Sequence, residues 1–239
     1  MSFEMEEARS LTARVEGWLQ DCEGELLFNL ARGCEGRGAI VEVGSWKGKS
    51  TIWLGRGSLA GKKAHVWAVD PHTGSGEHHE AFGSVWTFDE FKKNVTESGL
   101  DEVVTPIVKT SEEAALSFRE PVELVFIDGA HDYESARRDF ELWSPKVVDG
   151  GIVALHDTTC GEGPRRVVVE SLCGSQRFRG VHLVGSIAYA RKVERNSPVD
   201  RIKNGAAAYA IGSTASTPCF LPKPIKALGR RFVKAVGIL

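Results

Sequence analysis

Val41-Glu42-Val43-Gly44-Ser45-Trp46-Lys47-Gly48-Lys49-Ser50-Thr51 decides the fold, because it puts a glycine turn between an apolar strand, Ala39–Val43, and a helix-competent run from Gly48 to about Ala60. Backbone N–H groups at such a turn can face a ligand with no Cβ in the way. Gly48-Lys49-Ser50 matches the end of a phosphate-binding P-loop, but the spacing excludes one. A P-loop needs four residues between its glycines, and only Ser45, Trp46 and Lys47 separate Gly44 from Gly48. The dinucleotide fingerprint GxGxxG fails too, since Trp46 stands where its second glycine would admit a pyrophosphate. What remains is Glu42, then Gly-x-x-x-Gly, with Asp70 closing the next strand 22 residues after Gly48. A carboxylate there can accept both hydroxyl hydrogens of a ribose. The plainer reading of Asp70 is a turn residue before Pro71.

Outward from this loop, the chain alternates strands with helices. Residues 5–33 read as two amphipathic helices, the second opening at Asp21 and stopped by Gly33, forming a lid or cap. Strands are predicted at His65–Val69, Val103–Val108, Val122–Ile127 and Ile152–His156. Helices are predicted at Phe88–Ser98, Glu112–Phe118, Tyr133–Val148 and Pro164–Cys173. Parallel strands need crossover helices, so this order predicts an α/β, doubly wound, mostly parallel sheet. Val181–Val184 and Ile187–Arg191 meet at Gly185-Ser186, adding an antiparallel hairpin and bringing the count to seven strands. The organisation expected is a helical cap over 1–36, a central domain over 37–192 and an extension over 193–239. Val193 to Pro222 is Ala/Ser/Thr/Gly-rich and reads as weakly patterned linker.

Composition fits this class. The 239 residues are 42% hydrophobic and 26% charged, ordinary for a globular chain. The net charge of −2 conceals −9 over the first 191 residues and +7 over 192–239, so the main domain is not expected to bind nucleic acid. Five cysteines without CxxC spacing favour reduced thiols over disulfides or structural zinc. The acidic start MSFEMEEARS carries no apolar signal region, and no run suffices to span a membrane, so a cytoplasmic protein is expected.

Taken together, Ile40-Val41-Glu42-Val43-Gly44 with Gly48, the run Phe126-Ile127-Asp128-Gly129-Ala130-His131-Asp132-Tyr133-Glu134, and the pair His156-Asp157 resemble the class I S-adenosylmethionine-dependent methyltransferases. Within that class they resemble the methyltransferase-24 type, similar to catechol and macrolide-sugar O-methyltransferases, over about residues 37–191. The resemblance implies a Rossmann-like methyltransferase fold, S-adenosyl-L-methionine as cofactor and a small hydroxylated acceptor. It implies cofactor contacts from Glu42, Gly44, Ser45, Gly48, Ser50, Asp70, Thr110, Ser111 and Asp128.

Gly44, Asp70, Thr110-Ser111, Asp128 and Asp157 each follow a predicted strand, so all fall on one sheet edge, where ligands bind in doubly wound folds. Two carboxylates from adjacent strand ends can hold Mg²⁺. In the catechol-like families acids at these places are metal ligands, and Asp128 and Asp157 match them. Thr158 departs from the Asn or Asp common there after the second acid. The alternative for both acids is helix capping or a turn. His131, three residues after Asp128, matches the family's basic residue, and an imidazole can take the acceptor's proton. His156 is a second catalytic candidate; its competing reading is a buried, satisfied histidine. His72, His78 and His79 read as a loop over the substrate or a solvated one, and Trp46 and Trp86 as ligand contacts or core.

The sequence thus points to an S-adenosylmethionine-dependent O-methyltransferase acting on a sugar or natural-product hydroxyl. A nucleotide-phosphate enzyme and a non-catalytic cofactor-binding scaffold stand as alternatives. On a helical wheel, residues 223–239 put Ile225, Leu228, Phe232, Val236 and Leu239 on one stripe, opposite Lys223, Lys226, Arg230, Arg231 and Lys234. Such a helix can lie peripherally on an anionic inner membrane surface, or pack on its own domain or on a second subunit in a homo-oligomer.

Overall fold

The computed structural model of the protein describes residues 2–74, 79 and 83–213. Helices α1 (Phe3–Thr12) and α2 (Asp21–Arg32) precede β1 (Ala39–Val43), α3 (Lys49–Leu59), β2 (Val66–Val69), α4 (Phe88–Glu97), β3 (Val104–Ile107), α5 (Ser111–Ser117), β4 (Val122–Ile127), α6 (Tyr133–Trp143), β5 (Val147–Leu155), α7 (Glu162–Val167), β6 (Phe178–Val184), β7 (Ile187–Lys192) and α8 (Pro198–Ser213). The strands form one sheet in the order β3-β2-β1-β4-β5-β7-β6. From β3 to β5 all pairs are parallel, and β7 runs antiparallel to both β5 and β6. The strand order reverses between β1 and β4, so the crevice for a ligand opens beyond their carboxyl ends.

Both sheet faces are covered. Residues of β1 and β4 are buried throughout, and two apolar clusters flank the sheet. One gathers Val41, Val125, Phe140 and Trp143; the other joins Ile40, Phe126, Trp53 and Phe28. α2 lies close against α3, where a Cβ on Gly24 would overlap the Trp53 ring.

Several expectations need correction. The helix foreseen over Tyr133–Val148 stops at Trp143, because Pro145 has no N–H for the helical ladder. A 3₁₀ turn, Ser144–Lys146, follows, and the buried Lys192 Nζ donates to the carbonyls of Ser144, Pro145 and Val147 at 2.9, 3.0 and 2.6 Å. Val147 and Val148 therefore belong to β5, whose start was hidden by Gly150-Gly151 at an irregular register. The helix foreseen at Pro164–Cys173 begins at Glu162 and loosens into a π-helix over Val168–Cys173. Residues 198–213, read as linker, are α8, whose Asn204, Ala207, Ala210 and Ile211 are buried. His72 is not solvated: it is buried against Phe88 and Phe91, with Nδ1 bonded to the Thr87 hydroxyl at 2.9 Å. His78 and the 223–239 helix lie outside the described residues. Among those described, no helix is long and apolar enough to cross a membrane.

Candidate active site

The glycine loop is fixed by its neighbours. Gly44 N donates to the Val69 carbonyl at 2.9 Å, and Asp128 N to that of Val43 at 2.8 Å. Gly44 has φ 85°, and a Cβ there would overlap the Asp128 carbonyl oxygen, so both conformation and space require glycine. Gly48, φ 90°, begins α3. Asp70, at the end of β2, accepts from the backbone N–H groups of Ser45 and Trp46 through Oδ2, both at 2.8 Å, and from His72 N through Oδ1 at 2.6 Å. A carboxylate oxygen has two acceptor lobes, so Oδ2 is filled by the loop and one lobe of Oδ1 remains for a ligand. The sequence argument allowed two.

These strand ends line a cavity of about 1060 Å³. Of the residues singled out from the sequence, Gly44, Ser45, Ser50, Asp70, Thr110, Ser111, Asp128, His131, His156 and Asp157 reach its wall. Glu42 and Gly48 do not. Glu42 is fully buried behind the loop, bonded to the Thr51 hydroxyl, and burial pushes its carboxyl up to about 8. The Ser45 hydroxyl is buried and has no hydrogen-bond partner, a polar group at the wall able to bond a ligand. Thr110 caps α5, and the Ser111 hydroxyl accepts from Trp143 Nε1 at 2.9 Å. Beside it Asp139 is raised to about 6, chiefly by burial. A further wall comes from the connector between α1 and α2: Glu16, Gly17, Trp18 and Leu19. Lys49 Nζ reaches the Gly17 carbonyl at 3.3 Å, Lys47 Nζ pairs with Glu16 at 2.8 Å and with Glu90 at 2.9 Å, and the Trp18 and Trp46 rings lie 5.7 Å apart.

At the other end of the cavity stands a charged cluster. His131 Nε2 is 3.0 Å from Asp157 Oδ2. His156 Nδ1 is 2.9 Å from Asp128 Oδ1 and 3.2 Å from Asp157 Oδ2, while its Nε2 is 3.4 Å from Glu23 Oε2. Burial disfavours a charged His156, but Asp128, Asp157 and Glu23 outweigh it and hold its pKa well above the ordinary value. His156 is therefore an imidazolium near neutral pH with both nitrogens engaged. Its ring is buried, with Asp128, Asp157 and Glu23 around the two nitrogens. Burial also disfavours ionised Asp157, yet His131 and His156 keep its carboxyl far below the usual range. Asp157 sits at φ 54°, in the left-handed region that Asp tolerates better than most residues. Ligand atoms of Asp128, His131 and Asp157 lie within 4.8 Å of one another, a geometry that could hold a metal ion. Thr158 does not join them; its hydroxyl donates to the Ser186 carbonyl at 2.7 Å.

Glu23 is the residue that sequence reasoning missed. It is fully buried, with Oε1 accepting from Ser186 N at 2.7 Å and Ser186 Oγ at 2.8 Å, and Oε2 accepting from Gln20 N at 2.7 Å. Glu23 stands in the first turn of α2, and nothing local in the sequence marks a partner 133 residues away.

The Methyltransf_24 family, a methyltransferase domain, matches residues 41–158. Among solved structures, the O-methyltransferase NovP is 18% identical, with a TM-score of 0.63 over 74% of this chain and 81% of that one. The O-methyltransferase TomG from Streptomyces achromogenes, in complex with SAM, is 15% identical, with a TM-score of 0.56 over 81% of this chain and 91% of that one. The O-methyltransferase from Bacillus cereus, in complex with SAH, is 20% identical, with a TM-score of 0.54 over 80% of this chain and 92% of that one. The fold, the glycine loop and this match agree: residues 41–158 are a methyltransferase domain of the Methyltransf_24 family, and the chain is a class I S-adenosylmethionine-dependent methyltransferase.

Proposed function

We propose that this chain methylates an oxygen of a small hydroxylated acceptor, of sugar or natural-product type. The observation that carries the reading is the His131–Asp157 pair facing the same cavity as the glycine loop. S-adenosyl-L-methionine, when bound, supplies an electrophilic methyl group on its sulfonium. The residues fit that cofactor: the Ser45 hydroxyl waits for a partner, Asp70 keeps one acceptor lobe for a ribose hydroxyl, and Thr110 and Ser111 lie at the adjacent strand end.

With Nε2 donating to Asp157, the neutral His131 ring has its basic lone pair on Nδ1. That nitrogen takes the acceptor hydroxyl's proton as the oxygen attacks, and Asp157 stabilises the imidazolium that results. His156 holds Asp128 and Asp157 in place and cancels part of their charge. The same two carboxylates, with His131 beside them, are the groups that would hold a divalent cation such as Mg²⁺, whose chemistry is to make a bound hydroxyl more acidic. NovP, TomG and the Bacillus cereus protein are named as O-methyltransferases, which supports transfer to oxygen.

The test is transfer of a labelled methyl group from S-adenosylmethionine to a panel of sugars, catechols and polyketide hydroxyls, with the methylated atom located by mass spectrometry. Cofactor binding without turnover across the panel would favour a non-catalytic scaffold. Calorimetric binding of ATP in place of S-adenosylmethionine would favour the nucleotide-phosphate reading.

A further inference from the structure

The candidate site leaves one part of the molecule unused: the outer face of α8 at the β6 edge. Val199, Ile202 and Tyr209 are exposed, at 59%, 74% and 72%. At 100° per residue they fall within an arc of about 80°, so they form one stripe along the helix. Arg201 and Lys203 are exposed on its two flanks. The helix's one acid, Asp200, is occupied at its start by Ser197, whose N and Oγ lie 2.9 and 2.7 Å from the carboxylate. Arg179 of β6 and Lys203 both act on that carboxylate, which sets the strand's cation beside the helix.

The charge around this stripe is lopsided. Residues 177–213 hold seven Lys/Arg and two Asp/Glu, a net +5, whereas residues 1–176 carry −12. We propose that the outer face of α8 and the basic edge beside it dock onto the surface of an anionic phospholipid bilayer. Val199 and Ile202 enter the headgroup boundary, Tyr209 sits at the interface, and the flanking cations meet lipid phosphates. Charge decides between this occupant and the others. A twofold contact between copies sets like patches together and would bring two strongly basic surfaces face to face. A nucleic acid offers phosphates to the cations but nothing apolar to Val199 and Ile202.

The experiment is co-sedimentation of the full chain with vesicles of phosphatidylcholine alone or mixed with phosphatidylglycerol, at low and high salt. Wild type is expected to pellet with the mixed vesicles and to release in high salt. Val199→Glu/Ile202→Glu is expected to bind at least about tenfold more weakly while keeping its affinity for S-adenosylhomocysteine. Should that variant lose S-adenosylhomocysteine binding, Arg201→Glu/Lys203→Glu takes its place with the same criterion. Wild type that ignores anionic vesicles, or variants that bind them as wild type does, overturns the proposal. A dimer seen by light scattering and broken by the apolar substitutions, without vesicle binding, overturns it in favour of a contact between copies.

Discussion

Glu23 Oε2 lies 3.4 Å from His156 Nε2, although 133 residues separate them in sequence. A helix outside the methyltransferase match thus supplies the counter-charge beneath the Asp128–Asp157 pair. Glu23→Gln leaves a buried imidazolium short of one carboxylate and sets an amide against Gln20 N–H, so it should cost about 3 kcal/mol in urea unfolding. Glu23 is held below its ordinary 4.5: burial opposes this, but His156 and the backbone bonds outweigh it. Its contribution is present above that value and lost in acid. His156 is held above its ordinary 6.5, so its contribution is complete below 6.5 and fades as pH climbs through the raised folded value. The gap between wild type and variant is therefore expected to be widest between these two ordinary values. A gap that does not vary with pH would contradict the ion pair.

Glu42 gives the opposite sign for a carboxylate. Its folded value is about 8 against an ordinary 4.5, so the unfolded chain ionises first and stability falls as pH rises between the two. The slope reaches at most about 1.4 kcal/mol per pH unit. Glu42→Gln carries no such proton, and its melting temperature is expected to fall less than that of wild type between pH 5 and about 8. Identical pH profiles would show that Glu42 is not held neutral.

Asp70→Ala removes the acceptor for the Ser45 and Trp46 amides and the lobe proposed for the ribose. Affinity for S-adenosylhomocysteine is expected to drop by roughly 1.5–3 kcal/mol, or about 10- to 150-fold, read by calorimetry. Affinity equal to wild type would confine Asp70 to shaping the loop.

His131→Ala should lower kcat by about 10²- to 10⁴-fold with S-adenosylhomocysteine affinity unchanged. Excess chelator is expected to suppress turnover and added Mg²⁺ to restore it. Activity that survives chelation but not the His131 substitution would leave the histidine as a metal-free base and Asp128 and Asp157 as its supports.

The sheet was legible because apolar runs such as Val122–Ile127 are buried on both faces and end in residues that cannot continue them. Placement of Asp70, Asp128 and Asp157 at one edge follows from that topology alone. What stayed hidden depends on contacts distant in sequence. Lys192 caps a turn 45 to 48 residues away and so lets β5 begin at Val147. His72 is buried by Phe88 and Phe91 of α4, which its glycine-rich surroundings gave no sign of. α8 escaped because alanine and glycine carry little periodic signal, and its burial comes from packing beside β6 through Asn204, whose side chain donates to the Phe178 carbonyl. The ring of charge around His156 joins α2, the β4–α6 connection and the segment after β5, and has no local pattern.

The wall formed by residues 16–19 has a kinetic consequence. Its polar ties to the glycine loop and α3 include the Lys49–Gly17 ammonium–carbonyl bond and the Lys47–Glu16 pair, whose carboxylate is 60% exposed. Exposed pairs of this kind contribute about 0–1 kcal/mol and weaken with salt. The same lysine also pairs with Glu90 of α4, at 2.9 Å. Ionic strength then sets how firmly this wall is held to the loop: cofactor exchange should quicken with added salt by stopped-flow fluorescence of Trp18 and Trp46, while the buried contacts keep equilibrium affinity nearly constant.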